Sequence, residues 1–131
     1  MTRRRRPVPI IVAFVVDALL VVGFAATGRA SHDSDVLAGL WTTAWPFLAA
    51  LVAGWLVSRA WRAPAAPWRT GIPVWAVTFA GGMLLRALVG QGTAFAFILV
   101  AGGTLAFVLI GWRALVALVR YAVARRQAVG S

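Results

Sequence analysis

Residues 72–112 read IPVWAVTFAGGMLLRALVGQGTAFAFILVAGGTLAFVLIGW, two apolar runs parted by Gly90-Gln91-Gly92. A helix needs about 20 apolar residues to cross a hydrocarbon core of about 30 Å. The runs 72–89 and 93–112 both reach spanning length, and the glycines around Gln91 predict a tight turn between them. This stretch therefore predicts an antiparallel pair of membrane-spanning helices. Upstream, residues 39–58 and 8–27 qualify in the same way, the latter interrupted only by Asp17. The expected fold is all-α: an integral membrane four-helix bundle in which all 131 residues form a single membrane domain.

The connections agree. Residues 28–38, GRASHDSDVLA, are polar, and residues 59–71, RAWRAPAAPWRTG, carry Pro64 and Pro67, which stop a helix from running through. In the basic tail, residues 113–131, the stretch from Arg113 to Arg126 is expected to be a continuing helix, a short juxtamembrane one that runs along or just below the inner surface.

Composition excludes much chemistry. The chain is 62% hydrophobic and 12% charged, against roughly 45–50% and about 25% in soluble domains; a bilayer can cover that apolar surface and a soluble core of this size cannot. The net charge is +10, from 13 arginines against Asp17, Asp33 and Asp35. The arginines sit at the edges of apolar blocks, a pattern set by the positive-inside rule, so no nucleic-acid partner is expected. The phosphates they meet are those of anionic lipids at the cytoplasmic face. There is no cysteine, which excludes disulfides and thiolate chemistry, and no lysine, which excludes Schiff bases. One histidine and three aspartates predict no metal site, and no cofactor is expected.

Orientation follows from the arginines. With the N-terminus inside, eleven lie on the inner side: Arg3 to Arg6, Arg59, Arg62, Arg69, Arg113, Arg120, Arg125 and Arg126. Only Arg29 and Arg86 lie on the other, so both termini are expected in the cytoplasm of a multi-pass cell-membrane protein. Trp55, Trp61, Trp68, Trp75 and Trp112 then fall near the inner interface as anchors, and Trp41 marks the outer one. The first span is twice the length of a signal-peptide core and carries an aspartate, so it is expected to be retained. Small residues four apart, Ala50 and Gly54, Thr78 and Gly82, Gly102 and Ala106, predict close helix packing within the bundle, with a homo-oligomer interface as the alternative. No internal repeat of the inverted-transporter kind is visible.

Asp17 is the residue of most interest. An aspartate in a span costs about 2.5–3.5 kcal/mol on insertion scales and must face protein, water or a partner. Arg86, near the outer end of the third span, is its expected counter-charge. The two depths differ by roughly 7 Å at 1.5 Å per residue, and the arginine side chain tilts back into the membrane. Pro46 is expected to kink the second span and free a carbonyl. Arg29, Ser31, His32 and Asp33 in the first outer connection, with Gln91 and Thr93 at the turn, complete an expected outward-facing polar pocket with Asp17 at its floor. No catalytic spacing occurs among them.

The runs Gly28-Arg29-Ala30-Ser31-His32, Trp45-Pro46-Phe47, Arg69-Thr70-Gly71, Gly82-Met83-Leu84-Leu85-Arg86 and Gly90-Gln91-Gly92-Thr93-Ala94-Phe95 resemble domain of unknown function 3054, a prokaryotic membrane family common in actinobacteria. The resemblance spans about Ile10 to Arg120 and implies a four-helix bacterial membrane protein with no known activity. Three functions fit these readings. The first is a non-enzymatic accessory or self-associating membrane component, alone as a homo-oligomer or within a larger membrane complex. The second is a small oligomeric transporter or channel using Asp17 as a proton or cation site. The third is a membrane enzyme acting on lipid or quinone through His32 or Asp17.

Overall fold

The computed structural model describes residues 8–30, 36–91 and 94–129, the side chains of 28–30 and 36–38 excepted. The four expected spans are four helices: α1 (Ile10–Ala30), α2 (Val36–Ser58), α3 (Ile72–Leu88) and α4 (Phe95–Val129). All four are long and apolar enough to cross a membrane, and no strand occurs among the described residues. Consecutive helices pack side by side and α4 closes back on α1, giving an up-and-down bundle. One end carries the 59–71 connection and is here termed the connection end; the other, at Gly90, is the hairpin end.

Each helix buries a narrow stripe of residues four apart. On α1 it is Ala13, Asp17, Val21 and Ala25; on α2, Phe47, Leu51 and Trp55; on α3, Val74, Thr78 and Gly82; on α4, Ala101, Leu105, Leu109 and Arg113. Four-residue ridges are the rows that interdigitate when helices pack. Between 22% and 39% of the residues in each span are buried, so the exterior is apolar and suited to hydrocarbon. Small residues set the closest approach. A Cβ on Gly54 would meet the Val74 carbonyl oxygen at 3.3 Å, and one on Gly82 would overlap the buried Phe47 ring. These pairs thus pack helix on helix inside one chain, as expected.

The connection between α2 and α3 is more structured than two prolines suggested. The chain leaves α2 through Arg59, left-handed at φ 52°, into a 3-10 turn at Ala60–Arg62. Pro67 then opens a π-turn, Pro67–Gly71, that runs directly into α3. At the hairpin end α3 stops in a Schellman motif: Gly90, at φ 78°, donates to the Ala87 carbonyl, and the Gln91 amide donates to Arg86. The tail is a continuing helix, as expected. Residues 113–129 continue α4 without a break, giving 35 residues and about 52 Å at 1.5 Å per residue.

Because Phe47 is wholly buried, Gly82→Val is expected to overpack the α2–α3 seam at a cost of about 1–3 kcal/mol. Gly103→Ala, with nothing within 4 Å of its added carbon, is expected to be neutral. Thermal unfolding of both variants in detergent checks the contrast.

Candidate functional site

Asp17 stands seven residues above the start of α1, about 10 Å into the bundle from the connection end. The core stripe of α4 brings Arg113 to the same level from the opposite direction. Their side chains meet in a bidentate ion pair: Arg113 Nη1 donates to Asp17 Oδ1 at 2.9 Å, and Nη2 to Oδ2 at 2.6 Å. Both side chains have 0% exposure. Two indoles complete the carboxylate. Trp55 Nε1 donates to Oδ2 and Trp112 Nε1 to Oδ1, each at 2.8 Å.

The guanidinium is equally committed. Its Nε donates to the Pro64 carbonyl at 2.8 Å, and Nη1 also donates to the Leu109 carbonyl one turn back at 2.9 Å. Its centre lies 4.7 Å from the Trp112 ring centroid. Asp17 therefore accepts four hydrogen bonds, two on each oxygen, in the planar fork geometry that arginine matches best. The network joins α1, α2, α4 and the 59–71 connection.

This corrects the sequence reading on several points. The counter-charge of Asp17 is Arg113, not Arg86, and Asp17 lies toward the connection end instead of forming the floor of an outer pocket. The arginine count sets Arg113 on the inner face; it is inside the bundle because it continues the buried stripe of Ala101, Leu105 and Leu109 on α4. Trp55 and Trp112 hold the carboxylate and are not lipid anchors, and half-buried Trp75 donates to the Gly102 carbonyl at 3.0 Å. Trp61 and Trp68 remain exposed, as anchors require.

Arg86 belongs to a second cluster at the hairpin end. Its Nη1 donates to Gln91 Oε1 at 2.9 Å, and its guanidinium lies 4.3 Å from the Phe97 centroid. Pro46 lacks an N–H, so it cannot bond the carbonyl of Thr42 four residues back. Gln91 Nε2 reaches that carbonyl at 3.0 Å. The structure thus unites Arg86, Gln91 and the region freed by Pro46, as expected, but without Asp17. Ser31, His32, Asp33 and Thr93, and the side chain of Arg29, lie outside the described residues.

Between the two clusters sits an aromatic plug. Phe24 and Phe47 meet edge to face at 5.3 Å, and Phe97 lies 6.2 Å and 6.4 Å from them. With Val21 and Leu51 fully buried, the interior between Asp17 and the hairpin-end cluster is lined mainly with hydrocarbon, the buried Thr78 hydroxyl excepted. Among the described residues no group of three metal-ligating side chains occurs.

The sequence model of the family described as Protein of unknown function (DUF3054) matches residues 14–116. That range includes Asp17, Trp55, Trp112 and Arg113. No similar protein was found among curated proteins, and no similar fold among solved structures.

Removing one partner of a buried pair typically costs about 3–5 kcal/mol, because the other charge is left uncompensated. Asp17→Leu and Arg113→Met are each expected to lose that much stability, and the double variant to regain most of it. Unfolding in detergent, followed by tryptophan fluorescence, checks the non-additivity.

Proposed function

We propose that this chain, which belongs to the DUF3054 family, is a non-enzymatic accessory or self-associating component of the cell membrane. In this reading the buried ion pair serves architecture and not transport. The observation that carries it is the saturation of Asp17. A carboxylate that binds a proton or cation in turnover must exchange partners and reach water. This one accepts four hydrogen bonds at 0% exposure, and an aromatic plug lies between it and the hairpin end. A transport role with Arg86 as counter-charge has lost its geometry, since Arg86 bonds Gln91.

The same reading places the connection end and both termini in the cytoplasm. The arginine bias supports it, as do the exposed Trp61 and Trp68 beside Arg59, Arg62 and Arg69. Anionic lipid headgroups are the expected partners of that basic face. A second copy, or a larger membrane complex, is the partner within the bilayer.

Reconstituted into liposomes, the protein is expected to pass protons and monovalent cations no faster than empty vesicles do. Flux above that background, abolished by Asp17→Asn in a folded variant, would overturn the reading. The lack of cysteine makes topology simple to test. A membrane-impermeant maleimide should label Ala94→Cys in intact cells, and Arg69→Cys only after permeabilisation.

A further inference from the structure

The connection end carries a cavity of about 340 Å³ lined by Val8, the Arg62–Pro67 segment, and Val116, Ala117 and Arg120 of α4. It lies apart from the Asp17 network, which touches it only through Pro64. We propose that this cavity is a binding site for the headgroup of an anionic phospholipid. This deepens the proposed contact with anionic lipids by giving it a defined place.

Three features point to a lipid. The first is chemistry: two arginines, Arg62 and Arg120, line one cavity, and guanidinium groups match a phosphate diester in charge and in hydrogen-bond geometry. Every other lining residue is Val, Ala or Pro. A polar ligand of small size would leave those walls unfilled, whereas a headgroup with its glycerol and first acyl carbons has both faces. The volume falls in the range of about 300–1,000 Å³ typical of small-molecule sites. The second feature is position. Trp61 and Trp68, next in sequence to the lining residues Arg62 and Pro67, are exposed and suited to the headgroup level of a bilayer.

The third feature is preorganisation. The cavity wall is an irregular segment, yet its carbonyls are held. Thr70 Oγ1 donates to the Ala63 carbonyl at 2.6 Å, and Arg113 Nε holds Pro64 at 2.8 Å. A wall fixed before binding avoids the ordering cost that weakens flexible sites.

The test is native mass spectrometry of the full-length protein in detergent, titrated with phosphatidylglycerol or with phosphatidylcholine. Phosphatidylglycerol is expected to bind in a one-to-one adduct more tightly than phosphatidylcholine. Arg62→Gln/Arg120→Gln should weaken it at least about tenfold, at roughly 1 kcal/mol per basic residue. The control Arg69→Gln/Arg125→Gln removes equal charge from outside the cavity lining and should weaken binding several-fold less than the lining pair does. Thermal unfolding establishes that each variant is folded. Equal weakening by both double variants would reduce the effect to diffuse surface charge and overturn the site. Displacement of the lipid by millimolar inorganic phosphate would make it a free-phosphate site and overturn the lipid assignment. Neither result bears on ion flux, so failure here is separable from failure of the accessory reading.

Discussion

The bidentate contact between the Arg113 guanidinium and the Asp17 carboxylate is the constraint around which the connection end is organised. Neither charge could face hydrocarbon alone without a cost of several kcal/mol, and each occupies a seam otherwise made of alanine, valine and leucine. One residue of helix rotation is about 100°, enough to swing either side chain from seam to lipid. The pair therefore fixes the rotation of α1 against α4, which small apolar side chains alone would specify weakly. A hydrophobic pair of matching volume can be as stable as a buried ion pair. What the ion pair adds is a single permitted register. The two indoles and the Pro64 carbonyl extend that constraint to α2 and to the connection.

The hairpin end solves the same problem by different means. Its core is the Phe24, Phe47 and Phe97 cluster, packed edge to face or tilted, and its polar groups are closed locally. The Schellman motif that ends α3 sets Gln91 over Arg86, and the carbonyl freed by Pro46 gives Gln91 a second partner on α2. At both ends the charged and amide side chains at membrane depth carry their partners with them, whereas the buried hydroxyls of Ser58 and Thr78 have none. At the hairpin end the ties are α3 to α2, and α3 to α4 through the Phe97 ring. At the connection end they are α1 to α4 and α2.

The spans were legible because apolar length alone decides them in a chain with so few charges. Asp17 stood out for the same reason, and the carbonyl freed by Pro46 follows from the missing N–H of proline. The partner of Asp17 was not legible by depth counting, which ends the fourth span at Trp112 and assigns every later arginine to the inner surface. A different signal was present. Ala101, Leu105, Leu109 and Arg113 are four residues apart, and the apolar run resumes at Ala114 to Val119, so the stripe itself points Arg113 inward. Tryptophan was ambiguous in principle. An indole near a helix end suits a headgroup and suits a buried acceptor equally, and only the packing of α1 between α2 and α4 separates the two.

The network also ties the interior to the surface. Arg113 bonds Asp17 with its two terminal nitrogens and Pro64 with Nε, so the ion pair and the cavity wall share one rigid planar group. A shift of the guanidinium within the seam must move the 63–67 segment, and a ligand that holds the segment must hold the guanidinium. By linkage, an occupant that binds only the folded wall stabilises the α1–α4 register by the same free energy with which that register favours the occupant. A closed interior whose buried charges, Asp17 and Arg113, are bonded to each other is consistent with such a role. The buried charges need no traffic through them to matter, because their position is felt at the headgroup level through a single side chain.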